Sequence, residues 1–137
     1  MVSSVRNLKR FVYLISPNKI YLNFYEDLEK VLSFKKVSFF QLRLKKTPKN
    51  LIIKIAKKIK TITKKNKVKF IINDDSKLAK AVNADGCHIG QFDNTVSLAR
   101  KDIKKKIVGV TCHNSKDLAL KASRDKADYL AFGSFFK

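Results

Sequence analysis

The 137-residue chain is poor in the residues that most readily break a regular backbone, with only 4 glycines and 2 prolines. That scarcity excludes collagen-like and low-complexity material. Long apolar runs are missing too: stretches such as Leu51–Ile53 fall far below the ~20 residues that cross a bilayer. Cysteine is limited to Cys87 and Cys112, with no CxxC and no Cys/His pair at zinc spacing. They read as two small semi-buried thiols in a reducing compartment. Arg6, Lys9 and Arg10 ahead of Phe11–Ile15 imitate a signal peptide. The apolar stretch is shorter than the ~7–15 residues of a signal core, and Pro17-Asn18-Lys19 follows at once. The segment therefore reads as the first strand of a cytoplasmic protein. Acidic residues are also scarce, 11 against 31 basic ones, for a net charge of +20.

What is present is an ordinary globular content of hydrophobic residues, 45%. That is too much for a wholly disordered chain, despite the charge. The length suits one domain, and burial of roughly two thirds of the unfolded surface is expected at this size. Of the 31 basic residues 5 are arginine, leaving 26 lysines spread along the whole chain. Base-edge and bidentate phosphate contacts favour arginine, so the lysine excess reads as solvated helix surface rather than a nucleic-acid face.

Short β-like runs alternate with helical stretches. Strands are expected at Phe11–Ser16, Val37–Leu44, Val68–Ile72, Cys87–Ile89, Ile107–Thr111 and Tyr129–Phe132. Helices are expected at Tyr21–Leu32, from about Pro48 to Asn66, and at Ser76–Val82, Thr95–Ile103 and Ser115–Ser123. Thr47 is expected to cap the second helix with Pro48 at its first position. Leu51, Ile52, Ile55, Ile59 and Ile62 form its apolar stripe. Such alternation argues a parallel α/β sheet of βα units. Eight units would make a TIM barrel, which needs roughly 200 residues or more. The expectation is therefore a single barrel-type domain over residues 1–137, covering about the first five and a half βα units and truncated at its C-terminus. An open edge of that kind would invite self-association.

Chemistry concentrates where strands end. In Gln41-Leu42-Arg43-Leu44-Lys45 the alternation sends Gln41, Arg43 and Lys45 one way and the leucines the other. At a barrel mouth the leucines would pack beneath the helices, and the two cations and the amide would suit a phosphate or diphosphate. A solvent-facing edge strand shows the same alternation. Asn73-Asp74-Asp75 and Gly90-Gln91-Phe92-Asp93 follow two neighbouring strands. Helix capping is the competing reading, by Asp75 or Ser76 for one helix and by Asp93 or Asn94 for the next; it is expected to explain Asp75 but not Asp74 and Asp93 together, which suit a Mg²⁺–diphosphate site.

These segments, with Gly109-Val110-Thr111-Cys112-His113 and Ala127-Asp128-Tyr129-Leu130-Ala131-Phe132-Gly133-Ser134-Phe135-Phe136, occur in an order that resembles the thiamine-phosphate synthase family. The resemblance runs from Tyr13-Leu14-Ile15 to Phe136 and implies a TIM barrel. It also implies a transferase that joins hydroxymethylpyrimidine diphosphate to thiazole phosphate, releasing diphosphate. By the same resemblance Arg43, Lys45 and Asn73 would hold the diphosphate, and Gln41 would place the pyrimidine. Asp74 and Asp93 would ligate Mg²⁺, while Thr111 would contact substrate where the family usually has serine. No protein nucleophile is implied, and His88 and His113 are read as hydrogen-bonded structural residues. The family continues past Phe136 into a loop and two further strands, so this chain alone is expected to be a poor or inactive catalyst. The alternatives are a TenI-like thiazole tautomerase, a non-catalytic remnant, or a basic binding protein.

Overall fold

A computed structural model describes residues 9–90 and 95–136. The strands are β1 (Val12–Ile15), β2 (Val37–Leu42), β3 (Lys69–Asn73), β4 (Gly86–Ile89), β5 (Ile107–His113) and β6 (Tyr129–Phe132). Between them lie α1 (Phe24–Ser33), α2 (Lys49–Lys65), α3 (Ser76–Ala81), α4 (Val96–Ile103) and α5 (Lys116–Arg124). All strands are parallel, in the order β1-β2-β3-β4-β5-β6, as the expected succession of βα units requires.

The sheet is strongly curled. Laid flat, β1 and β6 would stand about 24 Å apart, five gaps of about 4.8 Å. Yet the phenol oxygens of Tyr13 on β1 and Tyr129 on β6 are 2.5 Å apart. Only a sheet bent into a half-barrel lets side chains of its first and last strands meet. The convex face carries the core: Phe40, Leu42, Phe70, Ile72, Cys87, Ile89, Val108, Val110 and Cys112 pack under Leu28, Leu32, Ile55, Ile59, Leu78, Ala99 and Ala122 of the helices. Both cysteines are buried and unpaired, and burial, the largest cause, pushes the Cys87 thiol up to about 12. The residues of opposite parity line the concave side.

Two details of the sequence reading change. The second helix begins at Lys49, with Pro48 as its N-cap at φ −59° and ψ 142°, not as its first helical residue. Thr47 instead turns its hydroxyl back to the Lys45 carbonyl, 2.8 Å away. The fourth helix is capped by Thr95, whose Oγ1 accepts from the Leu98 N–H, while Asp93 and Asn94 lie outside the described residues. Asp75 does cap α3, its carboxylate accepting from the Leu78 N–H at 2.8 Å.

Two other aspartates serve the sheet. Asp85 accepts from the Phe70 N–H at 2.7 Å while its own N–H donates to the Phe70 carbonyl. Asp128 repeats this pairing with Val108 one β-α-β unit further on. Each satisfies a backbone donor at the start of a buried strand, where an orphaned N–H would cost about 1–3 kcal/mol. Both aspartates are thereby accounted for structurally.

Candidate functional site

At the carboxyl ends of the strands, on the concave face, lies a cavity of about 800 Å³. Its lining includes Gln41, Arg43, Asn73, Asp74, His88 and Thr111. A hollow of about 940 Å³ lies elsewhere, along Lys57, Lys60, Lys64 and Lys65 of α2. That one is a shallow groove of solvated ammonium groups, and it lacks the converging mix of cation, carboxylate, amide and hydroxyl that a specific site needs.

The backbone aims each group. Ser16, buried after β1, ties down the end of β2: its Oγ accepts from the Arg43 N–H at 2.9 Å. The strand stops at Leu42, two residues short of the expected Leu44, because Arg43 and Leu44 leave the ladder at this anchor. Arg43 is exposed toward the cavity, and Gln41 is buried within it. Leu42 and Leu44 pack on the helix side, as the alternation predicts. Lys45 is exposed and outside the cavity lining; its backbone N–H donates to the Asn18 carbonyl at 3.3 Å.

Asp74 follows β3 with φ at +62°. Its N–H donates to the His88 carbonyl at 2.7 Å, carrying the pairing with β4 beyond the strand. The Asn73 amide donates to Asp74 Oδ2 at 3.0 Å, so Asn73 orients this carboxylate. The other oxygen, Oδ1, faces Gly90 at the end of β4. Asp93 lies outside the described residues. Among the described residues no group of three or more His, Cys, Asp or Glu side chains could hold a metal ion by itself. One carboxylate with room beside it suits Mg²⁺ shared with substrate oxygens.

Behind these groups runs a buried polar chain. Gln41 Nε2 donates to the Tyr13 hydroxyl at 2.9 Å, and Tyr13 meets Tyr129. The Tyr129 hydroxyl lies 2.9 Å from His88 Nδ1, and His88 Nε2 lies 2.7 Å from Thr111 Oγ1. Burial, the largest cause in each case, raises both phenols and lowers His88 to about 4, so all three are neutral near pH 7. Asp74 pulls His88 upward and Arg43 pulls it down, both more weakly. His88 is therefore the hydrogen-bonded core residue that the sequence suggests. Tyr13 and Tyr129 escaped the sequence reading as site residues. The signal that could have found them is parity: each shares its strand face with the cavity.

His88 is expected to make the protein less stable in mild acid. Its folded pKa of about 4 lies below the ordinary 6.5, so between those values the unfolded chain binds more protons. Stability is unpenalised above pH 6.5 and falls as pH drops from 6.5 toward 4, by about 3 kcal/mol at most. Urea midpoints measured across this range for the wild type and His88→Gln check it. Equal slopes for the two proteins would refute it.

A family model described as thiamine monophosphate synthase matches residues 12–137. The thiamine-phosphate synthase of Pelagibacter ubique is 66% identical over 130 residues, covering 93% of this chain and 62% of that protein. The thiamine-phosphate synthase of Clostridium tetani is 42% identical over 135 residues, covering 96% of this chain and 63% of that protein. Among solved structures, thiamine phosphate pyrophosphorylase from Pyrococcus furiosus superposes with a TM-score of 0.81 at 28% identity, over 92% of this chain and 61% of that one. The chain thus spans about three fifths of the length of these relatives.

Proposed function

Since the chain belongs to the thiamine monophosphate synthase family, we propose that its concave cavity binds hydroxymethylpyrimidine diphosphate and thiazole phosphate for synthesis of thiamine phosphate. The observation that carries this reading is Arg43 and Asp74 lining one cavity with Gln41 and Thr111. A thiazole tautomerase has no need of a cation–carboxylate pair built around a leaving diphosphate.

In the proposed reaction the bond between the pyrimidine methylene and the diphosphate oxygen breaks, its electron pair leaving with diphosphate. The thiazole nitrogen then supplies the pair for the new C–N bond. The developing charge sits on the leaving group, so fixed cations aimed there accelerate the step. Arg43 offers a planar donor fork, with Lys45 a further cation on the following loop. Asp74, held by Asn73, and Asp93 would hold Mg²⁺, which when bound supplies charge neutralisation for the departing diphosphate. The Gln41 amide orients the pyrimidine, and Thr111 offers a hydroxyl to substrate. No side chain has to act as nucleophile or strong base.

The direct test is product analysis. Both substrates and Mg²⁺ are incubated with this chain, and with this chain extended by the C-terminal part of the Pelagibacter ubique relative. Thiamine phosphate and diphosphate are expected in equal amounts. Calorimetry with the pyrimidine diphosphate should show tighter binding when Mg²⁺ is present. The Asp74→Ala/Asp93→Ala variant should lose that gain. Absence of both product and binding would sink the reading, and an unchanged Mg²⁺ effect in the double variant would sink the metal assignment.

A further inference from the structure

A parallel half-barrel starts every strand at one rim, so its five αβ turns gather at the end opposite the cavity. Those turns are residues 34–36, 66–68, 82–85, 104–106 and 125–128. Each contains one non-glycine residue at positive φ, a conformation that strains an L-residue and that glycine adopts freely. In four of the five that residue is lysine: Lys35 at 56°, Lys67 at 57°, Lys104 at 52° and Lys126 at 64°. The fifth is Asn83, a residue type that tolerates this region. Turn geometry therefore does not call for the lysines. All four are exposed, and among the described residues their ammonium groups make no hydrogen bond or ion pair. Lys36 and Lys105 stand directly beside two of them. The acids of these turns are Asp85, Asp125 and Asp128. Asp85 is engaged with the Phe70 N–H, and Asp128 with the Val108 N–H and Arg100. The rim is left strongly electropositive.

We propose that this rim is a docking surface for an anionic lipid bilayer, with the lysines of the αβ turns at the headgroup phosphates and Phe34 among the headgroups. Phe34 is 73% exposed and directly precedes Lys35 and Lys36. An aromatic ring beside ammonium groups suits the interfacial layer, which accommodates both. A bilayer is favoured over nucleic acid because lysine acts as a point charge. A surface potential attracts point charges without the forked geometry that arginine brings to nucleic acid. The cavity lies at the opposite ends of the strands, so docking at the rim leaves it open to solvent.

The test is sedimentation with vesicles of phosphatidylcholine mixed with phosphatidylglycerol, against vesicles of phosphatidylcholine alone. The protein should bind the mixed vesicles and not the neutral ones, and should dissociate as salt rises. Replacing Lys35, Lys67, Lys104 and Lys126 together by glycine should lower partitioning several hundredfold, at roughly fivefold for each lysine near an anionic surface. The urea midpoint of that variant should be at least as high as that of the wild type. Glycine relieves the positive φ and keeps each backbone hydrogen bond that these residues donate. A control variant changes Lys19, Lys54, Lys77 and Lys116 to glutamine. These follow β1 or lie in the first two turns of α2, α3 and α5, at the cavity end. The control should lose far less affinity. Phe34→Ser should weaken binding without changing its salt dependence, and an unchanged affinity would remove Phe34 from the surface. Equal losses in the glycine and control variants would overturn the rim as the docking face, as would failure of the wild type to bind the mixed vesicles. A lowered midpoint in the glycine variant would mean that the lysines serve the helix ends instead. Tighter binding to single-stranded RNA than to mixed vesicles, at equal phosphate, would overturn the bilayer as partner.

Discussion

Gly109→Ala is expected to lower the unfolding free energy by about 4 kcal/mol, roughly 3 from overpacking and 1 from a broken hydrogen bond. The backbone itself is not the obstacle, since Gly109 is not among the residues with positive φ. The obstacle is the Tyr129 ring. A Cβ at position 109 would fall 1.9 Å from Tyr129 Cζ and 2.3 Å from both Cε atoms. The ring cannot retreat without leaving His88 and Tyr13, which its hydroxyl joins. Chemical denaturation of Gly109→Ala, Tyr129→Ala and the double variant forms the measurement. With the ring gone the three nearest obstructions to the added methyl go with it, so the double variant should be barely less stable than Tyr129→Ala. Additive losses would show that the clash is not with Tyr129. Gly86 offers no such rescue, because there the obstruction includes the Ile107 backbone carbonyl, 2.3 Å from an added Cβ.

Arg43→Ala should lower kcat/KM for thiamine phosphate formation about 10²–10³-fold, the usual loss for one preorganised donor aimed at developing charge. Arg43 is exposed into the cavity, and Ser16 fixes the backbone that carries it. Arg43→Lys should recover only part of the loss, since an ammonium restores the charge but not the planar fork. Folding should be unaffected, because the side chain contributes nothing to the core. Initial rates across pyrimidine diphosphate concentrations, alongside denaturation midpoints, make the comparison. A wild-type rate in Arg43→Ala would remove Arg43 from the site, and a collapsed midpoint would mean that its role is structural.

The sequence alone carried the architecture a long way. Apolar runs such as Val68–Ile72 alternating with amphipathic stretches such as Ile52–Ile62 determined a parallel βα succession, because a strand and a helix bury their faces at different residue periods. Parity along Gln41–Lys45 placed Leu42 and Leu44 under the helices, and the polar residues at the strand ends already suggested a site. Chain ends of elements were less legible. Whether Thr47 or Pro48 caps α2 turns on a single ψ angle, and β2 stops at Leu42 because Ser16, distant in sequence, captures the next backbone N–H. Curvature was beyond local reading altogether. No property of Tyr13 or Tyr129 taken singly says that the two phenols touch across 116 residues of chain. That contact exists only once the sheet is curled, and with it comes the buried polar chain that joins Gln41, Tyr13, Tyr129, His88 and Thr111. Local periodicity is a short-range property of the chain, whereas sheet closure sums small twists over every strand pair, so only the tertiary structure could decide it.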